Sequence, residues 1–478
     1  MVDLLDPLLD PSRDPSRDLS RDPSLDSLLD PILDNRQKGF PHASAPLCRS
    51  QIGRQGWNVL RGDLPFPIAV VRQQRLQHNL QWMQDFARGQ GVDLAPHGKT
   101  TLSPQLFQRQ LDAGAWGMTV ANVTQLQVAL AAGAKNCLIA NQVFAANDLA
   151  QIDHLKRQRA GLRIVFLVDS LAQLACIEQW HAQALAGAVA GAVAGAVAGP
   201  VAQVVHQPPQ ALEVLLEIGV AGGRTGCREH AQALQLAQRI KASPAVQLVG
   251  LECYEGLGAT GQSAADQAYA SDLMQRVTAV ALACDAAGLF EAGEVLLSAG
   301  GSAIFDLVSR ALTPALSKPV RGVLRSGCYV THDQGGYQRY AQAMQPRIAA
   351  WGCGSGLQAA LEVWAAVQST PEAGLAIVTL GKRDISHDQE MPPVLRFCKL
   401  GSTQQQGAPA AWKVTALNDQ HAYLQTGGTD RDVGALALHV GDLVCLGISH
   451  PCTTFDKWRW LPLVDEDGNV VDALTTCF

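Results

Sequence analysis

From about residue 67 to residue 300, short apolar runs alternate with helically spaced segments, and this alternation limits the possible folds more than any other feature. Pro67–Val71, Val92–Pro96, Gly117–Val120, Cys137–Ala140, Arg163–Val168, Glu213–Ile218, Val246–Tyr254 and Glu294–Ser298 read as strands. Gln74–Arg88, Leu102–Ala113 and Val123–Ala132 have the spacing of helices, the last two ending at Gly114 and Gly133. Mostly apolar strands separated by helices imply a parallel sheet covered on its faces. About 280 residues of such units are expected to close as a (β/α)8 barrel.

After about residue 310 turn residues become frequent and short runs alternate apolar with polar. Trp412–Ala416, Ala422–Gln425, Leu436–Val440, Leu443–Gly447 and Trp460–Val464 predict a mostly β second domain. The expected division is a low-complexity tail at 1–42, the barrel at 43–310 and the C-terminal β domain at 311–478. The tail carries repeated DPSR-like tetrads whose prolines and alternating charges oppose a packed core, so disorder is expected. A second low-complexity run, AGAVAGAVAGAVAGPVA, is expected to be a surface loop over 186–203.

Composition removes several classes of function. A net charge of −6 and a pI near 6.1 give no basic footprint for nucleic acid. Asp and Pro interrupt the N-terminal residues too often for a signal peptide, and no stretch has the apolar quality of a membrane span. The 12 cysteines stand singly, without a CxxC pair, which fits reduced thiols and a cytoplasmic location.

Lys99 falls where the run Val92–Pro96 ends, in Ala95-Pro96-His97-Gly98-Lys99-Thr100. Catalytic groups of a (β/α)8 barrel sit at such strand ends. Partial desolvation there would favour the neutral, nucleophilic amine. Taken alone, a lysine at this place is more often a surface lysine. Near the C-terminus, His450 and Cys452 stand two apart and would share a side of an extended segment. Imidazole and thiolate are both zinc ligands, although a bare HxC pair has almost no specificity.

The run APHGKTTLSPQLFQRQLDAGAWGMTVANVTQLQVALAAGAKNCLIANQVF resembles the D-serine dehydratase and D-threonine aldolase family. These are pyridoxal 5'-phosphate (PLP) enzymes of the alanine-racemase type, fold type III. The resemblance spans roughly residues 60–478 and is most marked toward the bacterial D-serine deaminases, known as amino-acid deaminases. It implies a PLP-binding barrel followed by the β domain. It implies that Lys99 is the Schiff-base lysine, with His97 beside it as a proton relay or a packed neighbour. Arg224, in Gly219-Val220-Ala221-Gly222-Gly223-Arg224-Thr225-Gly226, corresponds to the partner of the pyridine nitrogen. Many relatives carry Asp where this chain has Gly219. Tyr254 corresponds to a residue lining the site.

Two phosphate cradles are expected, Gly300-Gly301-Ser302 after a strand and Gly327-Cys328-Tyr329 within an Arg-x-Gly-x-Tyr stretch. The family's metal pair, His-x-Cys or His-x-Asp, matches His450 and Cys452. Cys at the second position resembles the Zn2+-dependent dehydratases, and Asp the aldolases that use harder divalent metals. The implied activity is D-serine dehydration to pyruvate and ammonia, with D-threonine as a further substrate. The alternatives are D-threonine aldolase and D-threo-3-hydroxyaspartate dehydratase. The expected partners are a small D-β-hydroxy amino acid and a second copy in a homodimer, with no nucleic acid and no membrane.

Overall fold

The computed structural model describes residues 27–198, 207–349, 354–427 and 437–478. Strand β1 (Ile68–Arg72) and helix α1 (Gln73–Gln90) lead into eight parallel strands. These are β2 (Asp93–Leu94), β3 (Met118–Val120), β4 (Asn136–Gln142), β5 (Arg163–Val168), β6 (Leu212–Ile218), β7 (Val246–Cys253), β8 (Val295–Ala299) and β9 (Val320–Leu324). Hydrogen bonding follows the order β2-β9-β8-β7-β6-β5-β4-β3. A parallel bridge between His97 and Thr119, with Trp116 N–H donating to Leu94 O at 2.8 Å, nearly closes the ring between β2 and β3. Helices α2 (Pro104–Asp112), α3 (Val123–Ala131), α4 (Ala146–Gln158), α5 (Leu171–Ala198), α6 (His230–Lys241), α7 (Ser263–Ala286) and the short α8 (Phe305–Val308) separate the strands.

Side-chain alternation divides the core. Ala95, Leu138, Val165, Leu167, Leu215, Val249, Leu296 and Val323 fill the barrel interior as one cluster. Their neighbours, such as Ile164, Phe166 and Val168, belong to the larger core outside it.

After β9 and helix α9 (Gly336–Ala349) comes an antiparallel domain. Its strands are β10 (Leu361–Glu372), β11 (Leu375–Val378), β12 (Val394–Cys398), β13 (Gln406–Gly407), β14 (Lys413–Leu417), β15 (Ala422–Gln425), β16 (Leu443–Gly447), β17 (Trp460–Val464) and β18 (Val470–Thr475). The short helix α10 (Pro451–Phe455) lies between β16 and β17. The first expected strand, β1, belongs to this sheet, antiparallel to β10 and parallel to β17. Glu362 of β10 fastens the junction. Its buried carboxylate meets Arg72 at 2.9 Å, Arg75 at 3.2 Å and Arg396 at 2.6 Å.

Four expectations change. The barrel extends past residue 310, because its last strand is Val320–Leu324. Residues 27–42 are folded, whereas 1–26 lie outside the described residues. Leu33 and Phe40 are buried, and the Leu29 carbonyl accepts from Gln105 at 2.9 Å. These apolar groups supply the core contact that the Pro- and Asp-rich average concealed. The 186–203 segment is helical to Ala198, as its alanine content favours, and 199–203 lie outside the described residues. Residues 437–440 form no strand but lead into a turn at Gly441, with φ 94°, and 436 lies outside the described residues. Among the described residues no helix is long and apolar enough to cross a membrane.

Candidate active site at the barrel mouth

The C-terminal ends of the barrel strands carry an unusual density of polar side chains. Beyond β2, His97 N–H donates to Arg325 O at 3.1 Å, and the chain turns through Gly98–Thr100. A side chain at Gly98 would overlap the Phe107 ring, so the turn needs glycine. Lys99 is exposed, and the expected partial desolvation is not seen. The turn lifts it clear of the apolar interior and into the mouth. His97 accepts from the Lys99 N–H through Nδ1 at 3.4 Å. Burial, followed by the cations Lys99, Arg325 and Arg224, pushes the His97 imidazole well below its ordinary range, so it is neutral at pH 7.

Beyond β6, Arg224 lies over the Tyr254 ring, 5.0 Å from its centroid. Burial and then Glu255 push the Tyr254 phenol up. An aspartate at 219 has no room, since a Cβ there would come 3.0 Å from the Thr225 carbonyl carbon and strike Arg228.

At the ends of β7 to β9, Arg325 joins the strands. It donates to Glu252 at 2.5 Å, Ser298 Oγ at 2.6 Å and Cys253 O at 3.2 Å, all buried. Gly300 is pressed by Arg325, and Gly301 by the Glu255 carboxylate, so both glycines answer to protein side chains. Ser302 lines the open cleft. Gly327 lies against the Lys99 turn, where an added Cβ would be 2.7 Å from Thr100 Oγ1. Tyr329 is buried, and its hydroxyl is engaged by Gln110 at 3.2 Å. Among the described residues no acceptor meets the N–H groups of Gly301, Ser302 or Gly327. These donors suit an anion. With Lys99 and Arg224 in the same mouth, they fit a phosphorylated aldehyde cofactor.

The β domain contributes the opposite wall. His450 and Cys452 are not on an extended segment, because Pro451 starts α10 between them. His450 Nδ1 is 2.6 Å from Asp388 Oδ2, while Asp388 Oδ1 accepts from Thr453 Oγ1 at 2.7 Å. Burial raises the Asp388 carboxyl, but the bonds from His450 and Thr453 more than offset this and leave it below its usual range. Engagement of Nδ1 leaves Nε2 to face a metal. Cys452 Sγ lies 3.6 Å from Thr100 Oγ1 and 3.6 Å from Cys328 Sγ. The hydrogen bond between the two thiols holds the Cys328 thiol down, while Cys452 keeps its own proton tightly. Among the described residues no three His, Cys, Asp or Glu side chains stand ready as a complete metal cluster. The soft donor pair with an oriented imidazole nevertheless fits a divalent ion such as zinc.

Between the two walls lies a cleft of about 420 Å³ lined by Tyr254, Ser302, Tyr337, Arg339, Tyr340 and Gln389, among others. Arg339 there is held by both oxygens of Glu390 at 2.9 Å. His97, Lys99, Arg224, Tyr254, Gly300, Gly301, Ser302, Gly327, Cys328 and Tyr329 follow the C-terminal ends of barrel strands, and Cys452 of the β domain reaches Thr100 beside Lys99. Sequence reasoning missed Asp388, Glu252, Glu255 and the structural part of Arg325. Glu252 and Arg325 did carry a signal, being charges next to the apolar run of a barrel strand.

Residues 71–310 match the family described as "Alanine racemase, N-terminal domain", and residues 360–464 the one described as "Putative serine dehydratase domain". A D-threonine aldolase of Arthrobacter sp is 28% identical over 414 residues, 85% of this chain and 90% of its own length. The crystal structure of D-threonine aldolase from Filomicrobium marinum superposes with a TM-score of 0.67 at 22% identity, covering 87% of this chain and 95% of that one. D-threo-3-hydroxyaspartate dehydratase from Delftia sp. HT23 gives 0.63 at 25% identity, covering 88% and 99%. That dehydratase is also known as a cysteine-to-alanine variant in a metal-free form.

Proposed function

The chain belongs to the alanine racemase N-terminal domain family, and from that premise we propose that it is a PLP- and zinc-dependent D-serine dehydratase, an ammonia-lyase. Lys99 would hold the cofactor, Arg224 would serve as partner of its pyridine nitrogen beside Tyr254, and the free N–H groups of Gly301, Ser302 and Gly327 would receive the phosphate, beside Cys328 and Tyr329. Bound PLP supplies an electron sink for the charge left at the substrate α-carbon. The Lys99 amine would take the α-proton as general base, and His97, kept neutral by burial and the neighbouring cations, adds no competing positive charge beside it. His450 and Cys452 would hold a divalent ion, which when bound would supply Lewis acidity toward the β-hydroxyl. Pyruvate and ammonia are the products from D-serine.

The observation that carries this reading is the Cys452 thiol, which stands 3.6 Å from the hydroxyl of Thr100, the neighbour of Lys99. A soft donor there favours zinc and assisted loss of hydroxide. Among the described residues lining the cleft, the cation is Arg339, already neutralised by Glu390. A second substrate carboxylate would have to displace Glu390, which disfavours hydroxyaspartate. D-Threonine aldolase is a second reading, supported by the similarity to the Arthrobacter enzyme across 85% of the chain. The resemblance also supports a homodimer, and the isolated thiols support a cytoplasmic setting.

Product analysis tests the choice. D-Serine should give pyruvate and ammonia, L-serine should give neither, and EDTA should abolish the reaction until Zn2+ is restored. Glycine and acetaldehyde from D-threonine, without keto acid, would establish the aldolase instead. Borohydride reduction of the holoprotein should leave a pyridoxyl group on Lys99, found by peptide mass and absent from Lys99→Ala.

A further inference from the structure

We propose that Glu255 belongs to the phosphate site, as a protonated carboxyl whose O–H donates to an oxygen of the cofactor phosphate. This rests on the reading of Gly301 and Ser302 as a phosphate cradle and adds a side chain to it. Glu255 stands two residues beyond the end of β7 and is fully buried. Both of its carboxyl oxygens lack a hydrogen-bond partner. A buried acid in that condition is costly in either form. Ionised, it is a charge without a donor, and neutral, it carries an O–H without an acceptor.

The carboxyl lies against Gly301. A Cβ there would stand 2.5 Å from Oε1, 2.9 Å from the carboxyl carbon and 3.3 Å from Oε2, so this position has to be glycine while the acid is in place. The N–H of the same glycine, and that of Ser302, meet no acceptor among the described residues. Arg325 presses on Gly300, and its Nε is likewise buried without a partner. An oxyanion is the ligand that answers all of these groups, because it accepts from N–H and from a carboxylic O–H alike. An ionised Glu255 would not serve, since two anions would then meet at one buried loop.

The surroundings of Glu255 favour its neutral form. Cys253 and Tyr254 precede it in the chain, Tyr269 approaches from α7, and Arg325 from beyond β9. The Arg325 charge opposes neutrality, but that guanidinium is already engaged by Glu252, Ser298 and Cys253 O. Burial outweighs it and raises the Glu255 carboxyl to about 7. An anion at the loop raises it further, so binding of the phosphate takes up a proton above that value.

The full-length protein, stripped of cofactor, is titrated with PLP and with pyridoxal, which has no phosphate. Glu255→Gln keeps an N–H donor and cannot ionise. Between about pH 6 and about pH 8 the affinity of the unmodified protein for PLP should fall about tenfold relative to that of the variant. For pyridoxal the two proteins should show one common pH dependence. Thermal melts establish that the variant is folded, and a second measurement needs no variant. In weak buffer near pH 8, PLP should draw about one proton more into the unmodified protein than pyridoxal does. Equal PLP profiles for the two folded proteins, or no excess proton uptake, would overturn the role of Glu255 and leave the cradle standing. Equal affinity of the unmodified protein for PLP and pyridoxal at both pH values would overturn the cradle itself.

Discussion

Replacing Glu255 by glutamine should remove a pH-dependent weakness at the barrel mouth. Glu255 is fully buried, and neither carboxylate oxygen meets a hydrogen-bond partner. Burial pushes its carboxyl from 4.5 up to about 7, opposed in part by its own backbone N–H, the Arg325 guanidinium and the Gly300 N–H. The unfolded chain therefore loses this proton near 4.5, and the folded chain only near 7. Between those values each pH unit costs the fold about 1.4 kcal/mol. The contribution is fully present below 4.5 and is lost as pH rises through 7, a total of about 3 kcal/mol. A chain of 478 residues unfolds with an entropy of about 1 kcal/mol/K, so the effect is ~3 °C in Tm. Calorimetry of Glu255→Gln and the unmodified protein at pH 4.5 and pH 8.5 checks this. The Tm difference should move by ~3 °C in favour of the variant between the two conditions. A difference that stays constant would mean that the folded-state carboxyl ionises in its ordinary range, and the desolvation argument would fail.

Two other substitutions test other parts of the structure. Asp388→Ala frees the His450 ring and should weaken zinc binding by about 10- to 100-fold in chelator competition; unchanged affinity would show that Asp388 has no part in orienting the ligand. Glu362→Gln leaves the guanidiniums of Arg72, Arg75 and Arg396 without their shared carboxylate, and should cost about 3–5 kcal/mol in denaturant unfolding. Burial opposes ionisation of Glu362, but the three arginines hold its carboxyl below 4.5, so its stabilisation is present above that value and is lost as pH falls through the lower folded-state value. A loss below 1 kcal/mol would show that the junction is held by packing alone.

What could be read in advance follows from how local each signal is. Buried parallel strands announce themselves as apolar runs, so the barrel was visible, and Lys99 could be found as the residue that ends one of them. The same locality misplaced Ile68–Arg72: a strand buried on both faces looks alike in a barrel and in the neighbouring sheet, and only its pairing with Leu361–Glu372 decides. Asp388 and His450 are separated by 62 positions, and Cys328 and Cys452 by 124, with no spacing rule to join them. Their proximity exists only once the β domain has closed over the barrel.

The buried charges form an intermediate case. Glu217 and Glu252 each interrupt an apolar run at the mouth end of its strand, and Arg325 directly follows another. A charge at such a position cannot be solvated as a surface residue would be, so it must have a polar partner from another strand of the barrel. Arg325 meets Glu252 and Ser298, and Glu217 takes Gln142 and Thr225. Ser298 lies on the strand next to that of Arg325, whereas Glu252 and Gln142 lie two strands from their partners, on the alternate strands that share an interior layer of such a barrel. The polar ring beneath the cofactor site was therefore derivable from the sequence, whereas the metal-binding wall above it depends on a domain contact that no local pattern encodes.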